Sequence, residues 1–321
     1  MMAVGHTMAA VTFAAFGPPE VLQITELPVP EPGRGEVVVR VVASTVNPTD
    51  LLMRSGAQAA MMAGLSPPFI AGMEFSGHIQ KAGPEVDLPV GAAVIGVVNP
   101  RTPSGGAHAQ FVRAPATSVA PLERQVDLVA AATVPMNALT ALMALEWLGL
   151  PAGSSLLVTG GAGMLGGSAI QLARLAGLRV FANCGPADRE TLLAFGADVL
   201  PREEGLAEHL RAVCPAGVDG LIDGALIGAG LSHLVRGGGA AVSLRRSHPI
   251  EDSRLRCHYV SVTEGMHRND LLRAIAGHLE AGLLRPRLAE GGLFGFRDAI
   301  AAHHAAAARG LRGRVVMRFS D

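Results

Sequence analysis

Gly161, Gly163 and Gly166 are spaced as glycine-x-glycine-x-x-glycine, with Ala162, Met164 and Leu165 filling the pattern. The apolar run 156–159 precedes them and reads as a buried strand. Leu165, Ala169, Leu172 and Leu175 follow at helical spacings of three and four. Between a strand and a helix, the first glycine permits a tight turn and the second lets backbone amides approach a pyrophosphate. The third lets the helix pack on the strand. The helix start adds unpaired N–H groups and a positive dipole end, so the chemistry on offer is the holding of a dinucleotide. With 40 glycines among 321 residues the motif alone would also suit a flexible loop, so the neighbouring elements decide.

Those elements alternate. Residues 177–183 read as a strand, 189–195 as a helix, and 218–223, 238–244 and 259–263 as further strands, which predicts an α/β unit with a doubly wound parallel sheet. An acidic residue closing the second strand would bind the adenosine ribose hydroxyls. Here that strand ends Ala182-Asn183-Cys184-Gly185, and Asn183 leaves room for a phosphate. Arg189 opens the next helix and Arg202 follows the next apolar run; both also suit solvated surface charges. The expected cofactor is NADPH.

The rest of the chain must carry the substrate chemistry. Its length suits two domains, and 49% hydrophobic against 17% charged residues supplies a large core. A net charge of −1 argues against a nucleic-acid or anionic-membrane partner. No run reaches the roughly 18 apolar residues of a membrane span. Residues 1–8 lack the charge and apolarity of a signal peptide and read as a disordered leader. Cys184, Cys214 and Cys257 are scattered and odd in number, as for reduced thiols in a cytoplasmic protein.

From residue 9 to about 122, short β-branched runs (11–13, 37–42, 69–70, 77–79, 93–98 and 108–112) alternate with Gly and Pro turns, predicting a small barrel or sandwich. Residues 130–148 read as one helix, and 270–281 as another closed by Gly282. Residues 296–308 read as a helix with His303 and His304 towards solvent. A strand after Gly310 finds no place in the nucleotide unit and is expected to return to the first one. The predicted domains are 8–124, completed by 284–321, and 125–283.

In this order, several short motifs carry a resemblance. They are Ser44-Thr-Val-Asn-Pro-Thr-Asp50 with Arg54 and Gly56, Gly72-Met-Glu-Phe-Ser-Gly77, and Leu139-Thr-Ala141. The glycine fingerprint, Phe195-Gly-Ala-Asp198, Val218-Asp-Gly-Leu-Ile-Asp223 and the stretch 310–317 complete the set. Together they resemble the medium-chain dehydrogenase/reductase superfamily, in its zinc-independent quinone oxidoreductase-like branch, from about residue 9 to 319. The resemblance implies a Rossmann-like doubly wound parallel sheet plus a GroES-like β-rich catalytic domain. It implies NADPH-dependent reduction of quinones or α,β-unsaturated carbonyl compounds by hydride transfer. Asn47 would sit near the nicotinamide ribose and the reacting carbonyl, Asp50 would fix that loop, and Thr140 would contact the cofactor. Without the resemblance, Asn47-Pro48 reads as an ordinary turn and Asp50 with Arg54 as an i,i+4 pair.

Zinc-using relatives carry a Cys near Ser44 or Thr45 and a His in a Gly-His-Glu motif, where this chain has Met73. A thioether beside Glu74 makes no catalytic zinc site, so no metal is expected. Many quinone oxidoreductases of this branch also carry tyrosines after the Asn-Pro-x-Asp motif; residues 56–62 hold none, and the single tyrosine is Tyr259. Met53, Met61, Met62 and Phe69 suggest an adaptable apolar pocket, which leaves an enone or an enoyl thioester open beside a quinone. Two alternatives stand: an enoyl-thioester reductase of lipid or polyketide metabolism, and a non-catalytic NADPH-binding sensor or structural protein. By resemblance the chain is a homodimer paired through the edge of the nucleotide sheet at 259–263.

Overall fold

The first strand, β1 (Thr7–Phe13), buries all but its first residue. It pairs antiparallel with β2 (Gln23–Pro28) and, across Thr12 and Phe13, with β4 (Phe69–Ile70). Between them lie β3 (Glu36–Val46), a run rich in valine, and α1 (Pro48–Ser55). β5 (Glu74–Ala82), β6 (Ala93–Val97), β7 (Phe111–Pro115) and β8 (Val119–Pro121) follow, then the short α2 (Leu128–Ala131). The computed structural model describes residues 7–201 and 205–319, and the chain divides into two units, Met1–Met136 with Met266–Asp321, and Asn137–Gly265.

In the second unit α3 (Pro135–Leu148), most of which it holds, leads to β9 (Ser155–Thr159), α4 (Met164–Leu175), β10 (Arg179–Cys184) and α5 (Arg189–Ala194). Then come β11 (Asp198–Pro201), α6 (Leu206–Val213), β12 (Val218–Asp223), β13 (Val235–Ser243), β14 (Arg256–Tyr259) and α7 (Val262–Gly265). Among the described residues the sheet runs β11-β10-β9-β12-β13-β14 with every pairing parallel. Leu156, Leu157, Val158, Leu221, Ile222 and Val242 are fully buried, as befits strands covered on both faces. The doubly wound sheet expected from the strand–helix alternation is present.

The chain then returns to the first unit with α8 (Asn269–Glu280), β15 (Leu288–Gly295), α9 (Ala299–Ala306) and β16 (Arg314–Arg318). β16 pairs antiparallel with the end of β3, Val315 opposite Val46, so the last strand does cross back. The resulting sheet runs β15-β16-β3-β5-β6-β8, with β7 also on β3, over a core that includes Val37, Val39, Phe75, Ile79 and Met317.

Several local expectations are corrected. Thr7 and Met8 of the supposed leader already belong to β1, while residues 1–6 lie outside the described residues. The 130–148 helix is two helices, because Pro135 lacks the donor for an i−4 bond and biases Val134 away from helix. Residues 108–112 do not form one strand: the N–H groups of Gly106, Ala107 and His108 go to Ile70, Gly72 and Ala71 carbonyls, and the strand starts at Phe111. The edge strand is Arg256–Tyr259 rather than 259–263, since a helical turn opens at Ser261. The unit boundaries fall at 136/137 and 265/266. α8 is held in the first unit by Asn269 Nδ2 donating to the Val119 carbonyl at 2.6 Å and by Glu280 accepting from Glu123 and Arg124 N–H.

His303 is also corrected. It shares an α9 face with Ala299 and Ala302 and is fully buried, whereas His304 faces out and meets Glu20 at 2.8 Å. The His303 ring stands edge-on to buried His108, 5.8 Å between centroids, and neither of its nitrogens has a partner. Burial pulls its pKa down to about 2, with His108, Arg54 and His304 adding to the effect. Burial likewise lowers His108, against the opposing pull of Asp50 and the Thr45 carbonyl. Such residues are neutral when folded and titrate near 6.5 when unfolded, so unfolding takes up protons below that pH. Their contribution is complete above about pH 6.5 and is lost as pH falls, by up to about 1.4 kcal/mol per pH unit for each. Urea unfolding should show this loss between neutral pH and about pH 5, and His303→Phe should flatten the slope by about one proton. An unchanged slope in the variant would contradict the buried neutral state.

Candidate active site

Asn47 is the hinge between β3 and α1, the N-cap of a helix whose first residue, Pro48, is pre-set for that position. Its N–H donates to Asp50 Oδ2 at 2.7 Å, and Asp50 Oδ1 accepts the Gly72 N–H at 2.9 Å. Asp50 therefore fixes the loop by tying α1 to the segment before β5. Gly72 has φ +99°, and a Cβ there would lie 2.5 Å from His108 Cδ2. Arg54 donates to the Gly17 carbonyl, so it does not form the i,i+4 pair with Asp50 that the spacing allowed.

The Asn47 side chain enters a buried network. Its Nδ2 donates to Thr45 Oγ1 at 2.8 Å and to Glu74 Oε1 at 3.1 Å. Thr45 Oγ1 donates to the same Glu74 oxygen at 2.6 Å, and Glu74 Oε2 accepts the Met136 N–H at 2.8 Å. Burial pushes the Glu74 carboxyl up, against the Arg314 guanidinium on β16 and the bonds from Thr45, Met136 and Asn47. Ser44 spends its hydroxyl on the Glu74 carbonyl at 2.8 Å, and Met73 is buried. Among the described residues no three His, Cys, Asp or Glu side chains cluster as metal ligands.

In the second unit the glycines divide the work differently from the motif's usual reading. Gly160, before the motif, takes the positive φ of the turn, +65°. A Cβ on Gly161 would meet Leu192 Cδ2 at 2.9 Å and Ile170 Cδ1 at 3.0 Å, so Gly161 serves close packing. Gly163 is the exposed N-cap of α4, where no side chain caps the helix, and a Cβ there would meet nothing nearer than the Gly160 carbonyl at 3.2 Å. A Cβ on Gly166 would lie 2.3 Å from that same oxygen. An uncapped helix start behind an open glycine fits a pyrophosphate.

The loop leaves β9 where the chain order turns outward to β10 on one side and β12 on the other, the switch point at which such sheets bind ligands. Ala162, Met164 and Leu165 line the same turn and the start of α4. Asn183 is buried near the end of β10, beside β9, and Arg189 is exposed at the start of α5. Thr140 is buried on α3, and Arg202 lies outside the described residues. Asn47 and Asp50 belong to the first unit, the cofactor candidates on β9, α4, β10 and α5 to the second.

Residue types alone did not single out Thr45, Glu74 and Arg314, nor the pair Thr159 and Asp223. Thr159 Oγ1 donates to Asp223 Oδ1 at 2.6 Å and accepts Ala225 N–H, while Asp223 Oδ2 holds the Gly228 N–H at 2.7 Å. These bonds fasten the ends of β9 and β12 beside the glycine turn. Their sequence signal was weak: each lies in a stretch already quoted, yet Thr45 pairs with Glu74 across 29 positions and Thr159 with Asp223 across 64.

Residues 33–124 match the alcohol dehydrogenase GroES-like domain. A mitochondrial NAD(P)H oxidoreductase of Drosophila melanogaster, RTN4IP1, is 34% identical over 186 residues, 51% of this chain and 45% of its own length. The 2-methylene-furan-3-one reductase of Solanum lycopersicum is 27% identical over 303 residues, covering 92% and 75%. The matched stretch spans about half the length of the first curated relatives. Among solved structures, an alcohol dehydrogenase superfamily protein from Novosphingobium aromaticivorans superposes with TM-score 0.88 at 26% identity, covering 97% and 99% of the two chains. The quinone oxidoreductase from Coxiella burnetii gives 0.84 at 25%, with the same coverage. These relatives and solved neighbours include quinone oxidoreductases and alcohol dehydrogenase superfamily proteins, which is consistent with the medium-chain dehydrogenase/reductase superfamily. Among the described residues no helix is long and apolar enough to cross a membrane.

Proposed function

We propose that this chain is a zinc-independent, NADPH-dependent reductase of quinones or α,β-unsaturated carbonyl compounds. The observation that supports the reading is the uncapped, glycine-opened start of α4; in the other unit Ser44, Thr45 and Met73 are buried in the motifs near which the resembling zinc-using enzymes carry a Cys and a His. When bound, NADPH supplies a hydride to the electrophilic carbon of the acceptor, whose π pair moves to its carbonyl oxygen before a proton is taken up from water.

The chain's own part is binding and orientation. Backbone from Gly161 to Gly166 would hold the pyrophosphate, and Thr140 would add a cofactor contact. Asn183 in place of an acidic residue, with Arg189 at the α5 start, favours the extra phosphate of NADPH; Arg202 is the second basic candidate. Asn47 would meet the reactants and Asp50 would keep its loop in place. The three cysteines form no disulfide with one another, which supports a reducing compartment such as the cytoplasm. A homodimer joined at the free edge of β14 remains our expectation, and a monomer in light scattering would refute it.

The deciding experiment follows NADPH loss across quinones, enones and enoyl thioesters. Turnover of the first two supports the proposal, and preference for thioesters would move the chain to lipid or polyketide reduction. NADPH binding without any turnover would make it a sensor or structural protein. In the same assay Arg189→Ala should lower the NADPH to NADH ratio of kcat/KM about tenfold, the value of one charged hydrogen bond. An unchanged ratio would remove Arg189 from the phosphate site.

A further inference from the structure

A cavity of about 590 Å³ opens in the first unit, a size that suits a small organic molecule. Met8 and Leu27, opposite each other across β1 and β2, line it with Phe69 and Ile70 of β4 and Phe111 of β7. Met8 and Ile70 are packed with Ala10 and Ala109, and Leu27 and Phe111 rest on that cluster. The apolar lining therefore stands on a packed base. Neither Asn47 and Asp50 nor Thr45 and Glu74 line the cavity, which is distinct from their network. Arg113 brings the one charge in the lining. Ser104 Oγ accepts from its Nη2 at 2.7 Å and its Nε at 3.3 Å, which fixes the guanidinium plane. Glu36 stands 3.7 Å from Nε, beyond hydrogen-bond reach, and accepts the Gly33 N–H at 2.8 Å instead. Among the described residues Arg113 Nη1 has no acceptor, and about a third of the side chain is exposed.

We infer that this cavity binds an amphipathic carboxylate. Its apolar body lies against Met8, Leu27, Ile70 and Phe111, where it is removed from water. Its carboxylate accepts from Arg113 Nη1, a charge-assisted bond to a guanidinium already held by Ser104. The Glu36 carboxylate beside Arg113 repels added negative charge, so a singly charged head suits the site better than a phosphate. The site lies wholly within the first unit and holds its ligand whether or not the redox reading above is right.

Calorimetric titration of the full chain with octanoate tests this, with octan-1-ol as the uncharged ligand of equal chain length. Octanoate should bind one per chain, and octan-1-ol about tenfold more weakly, the value of one charge-assisted hydrogen bond. Arg113→Met keeps an apolar stem but no donor. It should weaken octanoate about tenfold and leave octan-1-ol unchanged, so that the two ligands become equal. Leu27→Trp, on the half-exposed β2, enlarges a lining side chain and should weaken both ligands alike. Octyl phosphate should bind no more tightly than octanoate. The inference is overturned if wild type does not bind octanoate, if acid and alcohol bind equally, or if octyl phosphate binds best. Undiminished octanoate binding in a folded Arg113→Met, checked by thermal melting, overturns it too. Should Leu27→Trp fail to fold, the Arg113 comparison decides alone, because that side chain is held by only Ser104 and the distant Glu36.

Discussion

Gly166→Ala should weaken NADPH binding between about tenfold and a hundredfold and lower the melting temperature. Alanine is normally the better helix former by about 1 kcal/mol, so propensity alone predicts the opposite. The decisive number is the 2.3 Å from a Cβ at position 166 to the Gly160 carbonyl oxygen, with the Gly160 carbonyl carbon at 2.7 Å and Gly161 Cα at 2.8 Å. All three are backbone atoms, which no side-chain rotation can clear, so α4 must move off the turn. Overpacking of this kind costs about 1–3 kcal/mol, and a shift of that size misplaces the amides meant for the pyrophosphate. Gly163→Ala separates the two effects. At φ −74° and 3.2 Å from its nearest neighbour, the new methyl leaves the fold intact but stands on the open face of the turn. Its melting curve should match wild type while its NADPH affinity falls. Wild-type affinity in Gly166→Ala would mean that the turn does not hold the cofactor.

Asp50→Ala should be the most destabilising single change near Asn47, by about 3–5 kcal/mol in urea unfolding. The carboxylate is fully buried and accepts two backbone N–H groups, those of Asn47 and Gly72. Deleting it strands both donors at about 1–3 kcal/mol each, one of them the N-cap N–H of α1. Asp50→Asn keeps one acceptor and should lose roughly half as much. In both variants the kcat for the best acceptor should drop, because the Asn47 backbone is released from the Asp50 carboxylate that fixes it. A loss below about 1 kcal/mol in Asp50→Ala would show that water replaces the carboxylate easily.

How much of this was legible depended on the range of the signal. The parallel sheet followed from short apolar runs separated by helix-length segments, and the strand Val218–Asp223 lies where the sequence placed it. β2 escaped notice because it is half-exposed and polar, and β15 because glycines and a register shift break its pattern. His303 was misplaced because a run of alanines hides which helix face is apolar; contact of α9 with β15 and β16 decides it. At the glycine turn the motif was recognised, yet the positive φ belongs to Gly160 and Gly161 packs under Leu192.

By itself the sequence pointed to a dinucleotide ligand and to a resemblance with the medium-chain dehydrogenase/reductase superfamily. Glycine spacing, strand–helix alternation and a second strand that ends in Asn183 rather than an acidic residue are local properties that survive without coordinates. Only the tertiary structure decided which groups the Asn47 amide meets. That depends on Thr45, on Glu74 from a neighbouring strand, on Met136 from the start of a helix and on the charge of Arg314 from the last strand. Hydrogen-bond direction is set by which donors meet at one carboxylate, and no spacing along the chain records that meeting.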